Sequence, residues 1–63
     1  MNPYFIIKRK DTKQYYHSLT PRGYPLWCDI EEHAQYLIEN EANNLAYYIR
    51  CYFEQYDLEV ISI

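Results

Sequence analysis

The spacing of apolar residues along this chain changes period twice. From Tyr4 to Arg9 the run YFIIKR puts Tyr4, Ile6 and Lys8 on one side of an extended strand and Phe5, Ile7 and Arg9 on the other. Aromatic and β-branched residues favour strands, and apolar residues on both faces point to a central strand. Lys10-Asp11-Thr12-Lys13 is polar and includes Asp, which can bond its own backbone in a turn. Gln14 to Ser18 returns as a second strand, so the front of the chain reads as a hairpin. LTPRGYPLW then reads as a connection, because Pro21, the single glycine Gly23 and Pro25 interrupt regular structure. Pro25 biases Tyr24 toward an extended conformation, and Leu26-Trp27-Cys28 can add a short third strand.

At Asp29-Ile30-Glu31-Glu32 the pattern has the form of a capping box, with Asp29 accepting from the Glu32 amide. A helix or helical turn is expected to start there. Further on, Ile38, Ala42, Leu45, Ala46, Ile49, Tyr52, Phe53 and Tyr56 form one stripe at the helical period. Asn40 is a good N-cap type, and Glu39 and Glu41 suit the positive end of a helix. Either one helix spans about 30–55, or a short turn and an extended Gln35-Tyr36-Leu37 precede a helix over about 40–55. The second is preferred, since the longer helix outruns so small a domain. The closing DLEVISI alternates Leu58 and Val60 with Glu59 and Ile61 and reads as a buried or central strand. These elements predict an α+β fold: a small antiparallel sheet of three or four strands packed on one main amphipathic helix.

With 63 residues the chain has room for one domain, 1–63. A domain of this size buries only about 60% of the surface its unfolded chain exposes, and such domains usually need a staple or unusually good packing. Aromatic residues make up 19% of the chain, and their large buried area compensates for the small size. A homodimer would be a second compensation. No secretory signal and no apolar run of membrane-spanning length is found. The expected setting is therefore the cytoplasm, with Cys28 and Cys51 as reduced thiols, although spacing leaves one bridge open. Residues 1–23 carry five cations against one acid, a surplus of four. Residues 24–63 carry one cation against eight acids, a deficit of seven, and the net charge is −3. The molecule is expected to present two kinds of charged surface.

Catalytic and metal chemistry find little support. His17, Cys28, His33 and Cys51 are zinc-ligand types, but no two stand at the close spacing of zinc motifs. Neither LWCDIEE nor YIRCYFE resembles a nucleophile setting, and the acids around Cys28 disfavour a thiolate. A single glycine cannot build a phosphate loop or a dinucleotide fingerprint. No cofactor and no enzymatic activity are expected.

Binding surfaces are better supported. Lys8, Lys10 and Lys13, with Tyr15 and Tyr16 close behind, could grip phosphates and stack on bases. Lysines that merely solubilise a hairpin would look the same, and the acidic second half opposes a polyanion. Asp29, Glu31, Glu32, Glu39 and Glu41 could occupy a basic groove on another protein, although acids at a helix start also serve its dipole. On the helical wheel Tyr47 points nearly opposite Ile49, beside Asn44 and Cys51, and Tyr48 lies on the flank. Both tyrosines are expected to be exposed, while Tyr52, Phe53 and Tyr56 join the core. Exposed tyrosines are enriched at interfaces. The expected partner-binding set is Tyr47, Tyr48, Cys51 and Asn44 with Glu31 and Glu32.

Tyr4-Phe5-Ile6-Ile7-Lys8, the turn Lys10-Asp11-Thr12-Lys13, Trp27, Glu32-His33-Ala34, Glu41-Ala42 and Leu58-Glu59-Val60-Ile61 together span most of the chain. This layout resembles that of small uncharacterised bacteriophage and prophage proteins. The resemblance implies an α+β fold, a phage origin and a life in the host cell cytoplasm. It also implies a protein that binds and blocks a host macromolecule, including defence systems such as CRISPR nucleases. It supplies no catalytic residues.

Overall fold

The computed structural model describes residues 3–63. Strand β1 (Tyr4–Arg9) is the centre of a five-stranded, wholly antiparallel sheet, one strand larger than expected. Strand β5 (Leu58–Ser62) follows β1 along its length, pairing Phe5 with Ser62 and Arg9 with Leu58. Strand β2 (Tyr15–Leu19) meets β1 at Lys8 and Tyr15, and the two-residue β4 (Leu37–Ile38) meets it at Tyr4 and Phe5. A strand has two edges, so β2 and β4 share the one that β5 leaves. Where β2 turns away, the Gln35 amide donates to the Tyr16 carbonyl at 3.0 Å and β4 takes over. Strand β3 (Pro25–Cys28) pairs with β2 on the far side.

Both turns of the front half are closed by their backbones. Arg9 N–H donates to the Gln14 carbonyl at 2.7 Å, and Lys13, left-handed at φ 63°, donates to the Arg9 carbonyl at 3.0 Å. The stretch read as a connection is a second hairpin. Pro21 supplies the fixed φ of a turn, the Gly23 amide closes it onto the Thr20 carbonyl at 2.9 Å, and Gly23 takes φ 87°. The β2–β3 register shifts between Tyr16 and Ser18, leaving His17 as an exposed bulge.

The preferred division of residues 30–55 is the one observed: a 3-10 turn over Glu31–His33, the extended β4, then helix α1 (Glu39–Tyr52). The capping box does not form. Asp29 Oδ1 accepts instead from Gln14 Nε2 at 3.0 Å, and the turn starts without a side-chain cap. Asn40 is not the N-cap either. Pairing of Ile38 with Tyr4 carries the strand to the helix threshold, so α1 begins at Glu39. It stops earlier than expected because Phe53 leaves helical geometry at φ −138°, ψ 72°.

Helix α1 packs on β1, β5 and β4. Beneath it Ile7, Tyr16, Ala46, Ile49 and Leu58 form the buried core, ringed by Trp27, Leu37, Leu45, Tyr48, Phe53, Tyr56 and Val60. Ala42 and Ala46 on the helix are wholly buried, and side chains this small let the helix lie close to its neighbours. Ile6 is also buried, although alternation along β1 puts it on the face away from the helix. The central position expected of β1 is therefore observed. For β5, expected to be buried or central, the first holds in part, with Leu58 buried and Glu59, Val60 and Ile61 half-buried, whereas its position is an edge, since among the described residues it pairs only with β1. The helix packed over it accounts for Leu58 and Val60, while Ile61 lies beside Ile6 on the other face.

Candidate interaction surface

At about 100° per residue, Ala42, Ala46 and Ile49 define the inward side of α1, and Asn44, Tyr47 and Cys51 share the outward side. Tyr47 is 69% exposed. The Cys51 thiol, one turn on, pushes the Tyr47 phenol above its ordinary value through side-chain hydrogen bonding. Both cysteines are free thiols, Cys51 exposed and Cys28 half-buried. Burial raises the Cys28 thiol above its usual range.

The two flanking tyrosines exchange the roles expected of them. Tyr48 is half-buried: its hydroxyl donates to the Gly23 carbonyl at 3.0 Å, and its ring lies 5.0 Å from Tyr52 and 6.4 Å from Phe53. Tyr52, assigned to the core on sequence, is 72% exposed. Both residues lie on the same flank, four apart, and that flank faces the β2–β3 turn. Only the position of this turn decides which ring is covered, and the nearer one, Tyr48, is. Phe53 and Tyr56 do join the core, in a ring chain that includes Tyr24 and Trp27.

Glu31 and Glu32 are exposed in the 3-10 turn. No hydrogen bond, ion pair or ring contact ties them to Asn44, Tyr47, Tyr48 or Cys51. The expected partner-binding set is thus carried by two elements, the 3-10 turn and α1.

The basic hairpin is likewise divided. Lys10 and Lys13 lie in the turn, and Lys8 sits with its ammonium 5.8 Å from the Tyr15 ring centre. Tyr16 is only 6% exposed, inside the core, and burial raises its phenol above the ordinary value. It cannot stack on a base. Arg9 is drawn to the helix side of the sheet, its guanidinium 4.5 Å from the Tyr56 ring and 5.3 Å from Trp27. The same group pairs with Asp11 at 2.7 Å, and that bond holds the Asp11 carboxyl below its ordinary value.

A second apolar area escapes sequence reading. Tyr4, Tyr36, Ile38 and Leu26 are each about half exposed, and strand alternation sets them on the sheet face away from α1. The Tyr4 and Tyr36 rings lie 6.3 Å apart. The signal was present in Tyr4 and Ile6 sharing a face, but not the strand that brings Tyr36 and Ile38 beside them.

Among the described residues no pocket opens, no cluster of His, Cys, Asp and Glu could hold a metal, and no helix is long and apolar enough to cross a membrane. No family model, curated protein or solved structure matches this chain.

Proposed function

We propose that this chain is a non-enzymatic interaction module that binds a protein partner through the outer face of α1. Tyr47, with Asn44 and Cys51 beside it on the outward side, carries the contact, and Tyr52 extends it on the flank toward the β2–β3 turn. The observation behind this reading is the exposure of two large rings on one helix whose inward side is already filled. A tyrosine ring offers broad contact area at small entropic cost. Tyr48, clamped on Gly23, stiffens the ring beside it. The resemblance of the sequence layout to small phage proteins is what suggests a partner in the host cell that is inhibited or redirected, a defence nuclease of the CRISPR type being one such target. Nucleic-acid binding by the hairpin is the weaker reading. Tyr16 is buried, and the Lys8 ammonium already lies over Tyr15.

The test is capture from host lysate by the tagged chain, compared with a Tyr47→Ala/Tyr52→Ala variant. Interface tyrosines that act as hot spots cost about 2 kcal/mol or more when truncated, so the variant should lose the partner while melting like the parent. Equal capture by both proteins would remove this surface from consideration.

A further inference from the structure

The free edge of β5 has a geometry that matches itself. Lys10 N–H donates to the Asp57 carbonyl at 2.7 Å, and Ile63 N–H donates to the Tyr4 carbonyl at 3.2 Å. These bonds lie at the two ends of the register that pairs Ile6 with Ile61. Bonded and non-bonded pairs alternate along an antiparallel ladder, so Glu59 and Ile61 bond inward to β1. Leu58, Val60 and Ser62 therefore turn their backbone groups to the outer edge. Among the described residues those outward groups meet only Arg50, whose Nη2 donates to the Leu58 carbonyl at 3.1 Å.

We propose that β5 is a homodimer seam, formed when a second copy pairs its own β5 antiparallel to this one across a two-fold axis at Val60. Val60 then exchanges bonds with Val60 of the second copy, and Leu58 does so with Ser62. Each outward donor finds an acceptor without any shift of register. Such an interface uses the same surface twice, as two-fold dimers do.

Three further observations favour a second copy as the occupant. The only ionisable side chain of β5 is Glu59, which in this register lies across from Ile61 of the second copy, so no like charges are opposed. Apart from Arg50 at the Leu58 carbonyl, the edge carries none of the proline or lysine guards with which monomers usually blunt a strand, whereas the outer strand β3 opens with Pro25. Finally, Arg50 shows which flank of α1 overhangs the edge. Tyr47 lies one turn before it on that flank, about 4.5 Å back along the helix. The helix runs antiparallel to β5, and Val60 lies about 6.8 Å from Leu58. Tyr47 therefore stands near the level of Val60, and in the dimer the two Tyr47 rings flank the axis. The seam does not rest on the partner reading above. It sets two helix faces side by side, doubling the surface offered to a partner.

Sedimentation across concentration and amide exchange on the whole chain test the seam without reference to any partner. The expected result is a concentration-dependent dimer in which the Val60 and Ser62 amides gain protection with dimerisation, while Glu59 and Ile61 are protected throughout. Ser62→Pro removes an outward donor that the monomer does not use, at an exposed edge position where proline is tolerated. It should weaken the dimer roughly tenfold or more, and Ser62→Ala should not. A strict monomer up to millimolar concentration overturns the proposal. So does a dimer whose Val60 and Ser62 amides exchange as they do in the monomer, or protection of those amides only when a different chain is added.

Discussion

Individual residues show most directly where local chemistry and tertiary contact meet. Gly23 needs its missing side chain twice over. Its φ of 87° lies in the left-handed region, and a Cβ there would stand 2.8 Å from the Tyr48 hydroxyl. Gly23→Ala should cost about 2 kcal/mol, from the left-handed strain together with loss of the Tyr48 bond. Thermal unfolding would read this as a drop of about 8–16 °C, since about 4–8 °C per kcal/mol is usual at this size. Tyr16 makes a prediction about pH. Burial raises its phenol in the folded state above the ordinary 10.0. Below that pH both folded and unfolded chains keep the proton, and its contribution is fully present. As pH rises from the ordinary value through the raised one, the unfolded chain ionises first and stability falls. Tyr16→Phe should therefore flatten the alkaline decline in urea midpoints, while leaving the neutral-pH slope with denaturant unchanged.

At the scale of elements, competition between local and long-range partners decides the outcome. Asp29-Ile30-Glu31-Glu32 has the residues of a capping box, yet Asp29 bonds Gln14, fifteen positions away in sequence. The hairpin that carries Gln14 holds its amide at hand, and the turn stays a single 3-10 loop. Asp29→Ala should then change stability by no more than about 0.5 kcal/mol, as for an ordinary surface substitution. A working N-cap would cost about 1 kcal/mol, and chemical denaturation of the variant distinguishes the two. The helix stripe was legible from Ala42 to Ile49, because the helical period leaves no other side to bury. Its ends were not. Ile38 is held by β4, and Tyr52 falls beyond the reach of the β2–β3 turn.

The whole molecule keeps the charge division read from its sequence but uses it differently. The front half is basic and the back half acidic, and the fold interleaves them, with β5 beside β1 and Glu59 opposite Lys8. Arg9 is held between rings on the helix side. Arg9 and Tyr16 are thereby withdrawn from the basic hairpin's outer surface. Titration with single-stranded DNA or RNA is therefore expected to show no saturable binding even at about 50 mM salt, where phosphate contacts are strongest. Tight, salt-sensitive binding that Lys10→Ala and Lys13→Ala weaken would restore the nucleic-acid reading.

From the sequence alone one could read the α+β class, the central place of β1, the first hairpin, the extended break before α1 and the inward stripe of that helix. All of these follow from period and turn chemistry, which act over a few residues. Tyr47 belonged to the same legible set, because a position opposite a helix's buried side is exposed in most surroundings. The tertiary structure alone decided that Tyr48 is covered and Tyr52 is not, that Tyr16 is core, and that β5 is an edge. It also set Glu31 and Glu32 in a 3-10 turn ahead of the helix. Each of these depends on which distant segment lies alongside: the Gly23 turn at Tyr48, the cluster of Ile7, Ala46, Ile49 and Leu58 around Tyr16, and β1 as the one strand paired with β5 among the described residues. Periodicity says which side of an element is apolar, but only the packed chain says what stands against it.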